Sequence, residues 1–397
     1  MSNVHVVGTG LISAIGHSVS ESLQSLQQEI TGVGRLTLFE SAHKNLPVAE
    51  VTLSNTALAE KLSLPISLSR TALLGVHAGR EAIKNSGINN LHKWKTGLIS
   101  ATTVGGMDKT ENFFGQYLSK SSSGRLREVA QHPCSYSTEI MADDFGVNGF
   151  VTTINTACSS SVNSIILGTR LIREGMLDVV IAGGTDALTK FTLNGFKSLM
   201  ILDNQPCRPF DASRNGLNLG EGAGFLVLVS EKVLRAESLH SICHIAGYGN
   251  TTDAYHQTAS SPEGRGSFNA MDAALKLSGL KTEDIDYINL HGTGTQNNDL
   301  SEGTAITRLF GEKLPRLSST KGFTGHTLGA SGGIEAVFSS LAIAGQCIFS
   351  NPRFETPMPE LNIQPQGRFE QNVNVRHVMS NAFGFGGNCS SIIFSKN

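Results

Sequence analysis

The chain has 397 residues, a formal net charge of −2, 39% hydrophobic and 16% charged side chains. That is long enough for two domains, or for two fused halves sharing a core. The near-neutral charge, without a long Lys/Arg run, excludes an electrostatic footprint for nucleic acid.

In chain order, Val4–Val7 reads as a strand ending in Gly8-Thr9-Gly10. The first ten residues lack a basic n-region, and glycine interrupts their apolar run, so they read as strand and turn instead of a signal peptide. Ser18–Glu29 reads as a short helix capped by Ser18 or Ser20, and 31–62 is polar and mixed without a clear period. Ser69–Ser86 carries a small-residue apolar face at helical spacing. Thr96–Ala101 reads as a buried strand opening into Thr102-Thr103-Val104-Gly105-Gly106, and 107–135 as a loop-rich exposed excursion.

Phe150–Ile154 is rich in β-branched residues and reads as a strand. Val162, Ile165, Ile166, Thr169 and Ile172 then recur at helical spacing until Gly175. Cys158 therefore falls on a strand-to-helix turn, where unpaired N–H groups and the helix dipole favour a thiolate and can hold an oxyanion. Leu177–Gly183 and Phe225–Ser230 read as further core strands, the latter after the glycine-rich 216–224. No stretch is expected to be long and apolar enough to span a membrane. Six scattered cysteines, without C-x-x-C or metal-ligand spacing, indicate reduced thiols in the cytoplasm and no metal site.

The second part echoes the first. His5–Gly10 resembles His244–Gly249, and Gly97–Ala101 before Gly105-Gly106 resembles Tyr287–Leu290 before Gly292 and Gly294. Asn155-Thr-Ala-Cys158-Ser-Ser-Ser is echoed by Asn381-Ala-Phe-Gly-Phe-Gly-Gly-Asn-Cys389-Ser-Ser. The pattern predicts a duplicated α/β unit, residues 1–240 and 241–397, with two packed sheets and helices between and outside them.

Four more stretches carry chemistry. Asn289-Leu-His291-Gly-Thr293-Gly-Thr295 delivers a histidine from a strand into a glycine/threonine turn. Lys321-Gly-Phe-Thr-Gly-His326 brings Lys and His into one glycine-rich loop. Phe383-Gly-Phe385-Gly-Gly387 is a glycine-rich loop with two aromatics, and Arg208–Gly224 is a Gly/Asn-rich segment containing Glu221. Taken singly, each has a structural explanation: a satisfied histidine, a solvated lysine, a packing phenylalanine. A cysteine on a helix-entry turn together with two histidines on such loops is the set a thiol acyl-transfer enzyme needs.

With these motifs the chain resembles the β-ketoacyl-acyl-carrier-protein synthases, condensing enzymes of fatty acid and polyketide synthesis, from Gly8 to Gly387. The resemblance implies a thiolase-like fold, two similar halves in a five-layered α-β-α-β-α arrangement, and usually a dimer. It makes Cys158 the nucleophile that takes an acyl chain from a carrier protein, and His291 and His326 the histidines acting in malonyl decarboxylation and enolate stabilisation. Lys321 becomes the lysine ordering the pocket, with Glu302 its acidic partner. The N–H groups of Cys158 and Phe385 become the oxyanion hole. Phe385 and Phe196 become gate residues, Asp253–Thr258 a loop moving with them, and Thr293 and Thr295 the pantetheine binders. No cofactor or metal is implied beyond the phosphopantetheine of the carrier protein. The partners implied are that carrier protein and a second subunit, identical or a related synthase-like one; neither nucleic acid nor membrane is expected. Arg70, Arg125 and Arg127 are candidates for a basic patch docking the acidic carrier.

The chain departs from the family pattern in places. Asn388-Cys389 replaces Thr-Asn after the gate loop, Gln296-Asn297-Asn298 replaces a Pro-containing stretch, and the arginine often found after Phe196 is missing from Lys197–Met200. Met107-Asp108-Lys109 is polar where an apolar run is expected near the acyl tunnel. These departures suggest a specialised synthase, for a polyene or polyketide chain, if Asp108 and Lys109 face the pocket. The rival readings are a thiolase, using Cys389 as second cysteine, and a non-catalytic chain-length partner, which would lack the nucleophile.

Overall fold

The computed structural model describes residues 3–397. Ten strands form one continuous sheet: β1 Val4–Ser13, β2 Thr96–Ala101, β3 Phe150–Ile154, β4 Val179–Asp186, β5 Gly222–Ser230, β6 Cys243–Thr252, β7 Tyr287–Asn289, β8 Arg316–Ser318, β9 His377–Phe383 and β10 Asn388–Ser395. Their order is β3-β2-β4-β5-β1-β6-β10-β9-β7-β8. Each strand of the first half thus has an equivalent five strands later. The pairing senses repeat as well. β1–β5 and β5–β4 are antiparallel and β4–β2 and β2–β3 parallel, as are their counterparts in the second half. The halves join through two antiparallel pairs, His5↔His244 and Val6↔Cys243.

The helices used below are α1 Arg70–Ser86, α2 Met107–Ser119, α3 Cys134–Phe145, α4 Ser160–Arg173, α5 Lys190–Ser198, α6 Arg265–Ser278, α7 Gln296–Phe310 and α8 Ser331–Gly345. Three apolar clusters define five layers. Leu73, Val76 and Met141 of α1 and α3 pack with Val179 and Val227 on the outer face of the first half-sheet. Ile165 and Val162 of α4 and Ile334 and Phe338 of α8 pack between the halves, against Val180, Leu228, Val378 and Ile392. Met271 and Ile306 of α6 and α7 cover the outer face of the second half-sheet with Ile288 and Met379. Residues Leu328–Gly345 are, by length and composition, apolar enough to cross a membrane, contrary to the sequence expectation, but they form this central layer and are mostly buried there.

The first echo has a packing cause. A Cβ on Gly8 or Gly10 would lie 2.3 Å from Ala82 O or 1.9 Å from Ala78 O of α1. On Gly247 or Gly249 it would lie 2.2 Å from Ala274 O or 2.1 Å from Ala270 O of α6. In both halves the first strand lies directly against the outer helix, and only glycine permits that approach. The third echo does not correspond to structural equivalence. Asn381 lies on β9, the counterpart of β4, whereas Cys158 follows β3, whose counterpart is β8. The true equivalent of the Cys158 turn is the turn carrying Lys321, and α8 is the equivalent of α4.

Two other expectations are corrected. The excursion 107–135 is largely ordered into α2, a 3-10 turn Leu126–Gln131 and the start of α3. Arg70 is not on a docking surface. It is 6% exposed, and its side chain bonds Glu221 at 2.7 and 2.8 Å, the carbonyls of Val51 and Leu53, and Asn55. It closes the 51–55 segment onto the start of α1.

Gly10→Ala and Gly249→Ala are each expected to lower unfolding free energy by about 3 kcal/mol, because a buried methyl must displace a helix backbone. Gly115→Ala, whose Cβ meets nothing within 4 Å, is expected to be neutral or stabilising by about 0.5 kcal/mol. Urea unfolding of the three variants checks this.

Candidate active site

The turn after β3 is strained: Ala157 has φ +55°, a region costly for a residue with a Cβ. That conformation, helped by Ser160 Oγ accepting from the Thr156 N–H at 2.8 Å, sets Cys158 just ahead of α4. Cys158 is 6% exposed and lies in a pocket of about 410 Å³ that also exposes His291, His326, Thr293, Thr295 and the 383–387 loop.

His326 Nε2 lies 3.1 Å from Cys158 Sγ, and His326 Nδ1 lies 2.9 Å from Ser331 Oγ. With the Nδ1 proton assigned to the bond with Ser331, Nε2 turns its lone pair to the S–H. The His326 backbone is clamped from both sides: its N–H donates to Asn218 O at 2.7 Å and its carbonyl accepts from Gly220 N at 2.9 Å. This is the structural use of the Arg208–Gly224 segment.

His291 stands edge-on to His326, ring centroids 5.4 Å apart. Lys321 Nζ lies 3.4 Å from His291 Nδ1. An ammonium is donor only, so Nδ1 must accept and the proton of neutral His291 sits on Nε2. Burial first, then the Lys321 charge, then His326, holds the His291 pKa well below the ordinary histidine value; burial and Lys321 do the same to His326. Both rings are neutral at physiological pH, one presenting a lone pair and the other an N–H.

Lys321 is 1% exposed, and its partner is Glu335, not Glu302. Glu302 instead accepts the N–H groups of His291 at 2.9 Å and Gly292 at 2.8 Å, and Asn381 Nδ2 at 3.2 Å. It holds the backbone of the histidine turn. Burial pushes the carboxyls of both Glu335 and Glu302 up to about 7, against the pull of Lys321 on the first and of the backbone N–H groups on the second. A sequence signal for Glu335 existed: it is the only charged residue in an otherwise apolar helix. Ser331, which orients His326, and Asp186 carried none. Asp186 accepts from the hydroxyls of Thr102 and Thr103 and from the N–H of Gly329 at 2.7 Å, tying the loop after β2 to the His326 loop.

The thiolate expectation is corrected in degree. Burial pushes the Cys158 thiol up to about 11, although Lys321 and the N–H groups of Phe385 and Cys158 itself all pull it down. The resting site therefore holds a thiol, and the base to receive its proton is in contact with it. The same two N–H groups are directed at the Cys158 sulfur. A Cβ on Gly384 would sit 2.9 Å from Thr156 O and 3.1 Å from Cys158 N, so glycine lets this loop reach the nucleophile turn.

Phe196 and Phe385 stack 5.8 Å apart at 19°, closing one wall of the pocket. Asp253 N bonds Gly387 O at 2.8 Å and Gly386 N bonds Gln257 O at 2.7 Å, so the 253–258 loop and the gate loop are laced together. Thr293 and Thr295 line the pocket with their hydroxyls 2.9 Å apart. Cys389 also lines it, but burial pushes its thiol to about 12. Arg125 and Arg127 are exposed on the excursion and do not line the pocket, among whose lining residues there is no Lys or Arg. Asp108 and Lys109 do not line it either; Asp108 lines a second cavity.

Against known proteins, a family profile described as "Beta-ketoacyl synthase, N-terminal domain" matches residues 1–233, and "Beta-ketoacyl synthase, C-terminal domain" matches 242–355. The chain is 33% identical over 407 residues to a Staphylococcus aureus 3-oxoacyl-[acyl-carrier-protein] synthase 2, covering 99% of this chain and 98% of that protein. It superposes on the ishigamide ketosynthase/chain length factor with TM-score 0.93 at 28% identity, covering 100% and 99% of the two chains. A Xenorhabdus doucetiae ketosynthase in complex with its chain length factor gives TM-score 0.86 at 30% identity, covering 100% and 98%.

Iodoacetamide labelling of Cys158 is expected to keep accelerating from about pH 8 to about pH 10, because the thiolate fraction grows up to the thiol's pKa. Lys321→Met removes the charge that favours the thiolate, so the profile should move to higher pH and the rate at about pH 8 fall roughly tenfold. Mass spectrometry of the labelled peptide checks both.

Proposed function

Since the chain belongs to the β-ketoacyl synthase family and is a β-ketoacyl-acyl-carrier-protein synthase, we propose the following division of labour among its residues. The observation that carries it is the contact of His326 Nε2 with Cys158 Sγ at 3.1 Å beside a neutral His291. Cys158 Sγ attacks the acyl thioester of one carrier protein as its proton passes to His326 Nε2. The tetrahedral oxyanion lies between the N–H groups of Cys158 and Phe385. The carrier thiol leaves with the proton, which an imidazolium this acidic gives up readily, and the acyl group stays on Cys158.

Malonyl-carrier protein then enters with its arm along Thr293 and Thr295. Its C–CO₂ bond breaks, and the enolate oxygen is held by His291 Nε2–H. The enolate carbon attacks the acyl-Cys158 carbonyl, and the sulfur leaves as thiolate and regains a proton. Overall, acyl thioester, malonyl thioester and one proton give β-ketoacyl thioester, CO₂ and free carrier thiol. The reaction asks for a nucleophile, oxyanion donors and placed protons, all of which side chains and peptide groups provide. We read it as needing no metal or redox group. The thiolase alternative finds no support at Cys389, which is protonated like Cys158 but has no histidine hydrogen-bonded to its sulfur among the described residues, and the non-catalytic partner reading conflicts with the presence of Cys158.

For the assembly, we propose a dimer in the cytoplasm, formed with a chain-length-factor-type subunit. β3 is a sheet edge whose Phe150 and Val151 are 38% and 37% exposed, and Phe114, Leu118 and Leu126 of the neighbouring excursion are more exposed still. An apolar edge of this size is normally covered. The two ketosynthase structures above, both recorded with chain length factors, favour the heteromeric form. A polyketide or polyene chain is the corresponding substrate reading.

A panel of acyl-carrier proteins with malonyl-carrier protein, read by mass spectrometry, tests the reaction and the chain type together. Cys158→Ala is expected to abolish acyl-enzyme. His291→Ala should retain it but lose about 10²–10³-fold in condensation. A clear preference for long saturated chains would remove the polyketide reading. Val151→Asp is expected to shift the two-subunit complex to monomers in light scattering.

A further inference from the structure

Three side chains of the Cys158 pocket are spaced for a second chemistry. Cys158 Sγ and one ring nitrogen each of His291 and His326 all lie within 4.8 Å of one another. Among the described residues no other three His, Cys, Asp or Glu side chains gather in this way. They come from distant parts of the chain, so no ligand spacing in the sequence announces them. Thiolate and imidazole are preferred zinc ligands, at about 2.3 Å for sulfur and about 2.0–2.1 Å for nitrogen. Tetrahedral bonds of those lengths hold neighbouring donors about 3.3–3.6 Å apart. His326 Nε2 and Cys158 Sγ, at 3.1 Å, are already near that spacing. The remaining gaps close by about 1.5 Å or less of side-chain movement.

The surroundings suit an ion as well. All three residues line the pocket of about 410 Å³, which has room for water as a fourth ligand. His326 is fixed through Nδ1 by Ser331 Oγ at 2.9 Å, the outer hydrogen bond that a metal-bound imidazole normally makes. The outer partner of His291 is Lys321, 3.4 Å from Nδ1. A buried dication is tolerated only when its charge is balanced, and this site can balance one. Coordination removes the thiol proton. His291 binds through Nε2, loses the proton there and takes another at Nδ1 from Lys321. The Lys321 amine then accepts from Nδ1–H and still donates to Glu335. Two protons leave as one dication enters, so the buried charge is unchanged.

We propose that Cys158, His291 and His326 of the unacylated protein form a reversible binding site for a thiophilic divalent cation of the zinc type. The bound ion occupies the sulfur that must attack the thioester, and both imidazoles with it. It therefore switches the enzyme off and takes no part in the reaction. That inhibitory consequence rests on the condensing-enzyme reading, whereas the binding rests on the ligand geometry alone. Acylation and metal binding exclude each other, because a thioester sulfur no longer offers a thiolate.

The test uses Co²⁺ as a coloured stand-in for Zn²⁺. An equimolar amount added to the full chain, first stripped with a chelator, should give tetrahedral d–d absorption and a thiolate-to-cobalt charge-transfer band, both bleached by equimolar Zn²⁺. Cys158→Ser should abolish the charge-transfer band, and Cys389→Ser should leave it intact. His291→Ala and His326→Ala should each weaken Co²⁺ binding by about tenfold or more. Wild-type protein already acylated on Cys158 should show no band, a comparison in which the folding of a variant does not enter. Equimolar Zn²⁺ should block acylation, and a chelator should restore it. The inference is overturned by a wild type without the band, by a band that survives Cys158→Ser or acylation, or by undiminished binding in both histidine variants. If Cys158 acylates but no band forms, the metal site alone is lost and the condensing reaction stands. If the band forms but Cys158 never acylates, the condensing-enzyme reading falls, and the inhibitory role with it.

Discussion

The site is built around one buried ammonium. Lys321 has almost no exposure, and burying such a charge is tolerable only with a counter-charge in contact, which Glu335 provides from α8. The consequence for chemistry comes through its second contact. By occupying His291 Nδ1 it decides which nitrogen of that ring carries the proton, and its field keeps both histidines neutral. It also draws the thiol of Cys158 down against the burial that raises it. Removing the lysine would strand Glu335 as an unpaired buried acid and release the His291 tautomer, so stability and reactivity share this group.

The duplicated architecture explains why such a constellation can assemble. The Cys158 turn follows β3, and the Lys321 turn follows the equivalent strand β8. His291 follows β7; the equivalent loop after β2 holds no catalytic group, but Asp186 fastens it to the His326 loop. The Phe385 loop follows β9, and its counterpart after β4 begins at Asp186 itself. Equivalent strand ends from two halves therefore converge on one pocket.

Much of this was legible locally. A cysteine between a β-branched strand and a helical period, and histidines set among Gly and Thr, are short-range patterns, because close backbone approach demands glycine near the residue that uses it. Partner choice was not legible. Glu302 and Glu335 are both carboxylates on helices, and only tertiary packing decides that the first binds peptide N–H groups and the second Lys321. Arg70 looks like a surface charge in sequence but is sealed by Glu221, 151 residues away. The excursion misled for a different reason: its Ser/Gly-rich stretch after residue 119 masked the helix before it, whose Phe114 and Leu118 face outward.

The gate imposes the last constraint. Phe385 contributes a ring stacked on Phe196 at the pocket wall and an N–H aimed at Sγ, and under the proposed gating these have opposite needs: the ring must leave for a chain to enter, whereas the N–H must stay for the oxyanion. The loop separates the two demands. Its backbone is tied by Gly384 N to Asn388 O at 2.8 Å and by Gly386 N to Gln257 O at 2.7 Å. Asn388 Oδ1 is in turn held by Ser159 Oγ at 2.7 Å and by Asn163 at 2.9 Å, both on the nucleophile's own helix entry. These bonds hold the Phe385 peptide in register with Cys158. Asn388 is the post that ties the 384–387 loop to the turn of Cys158.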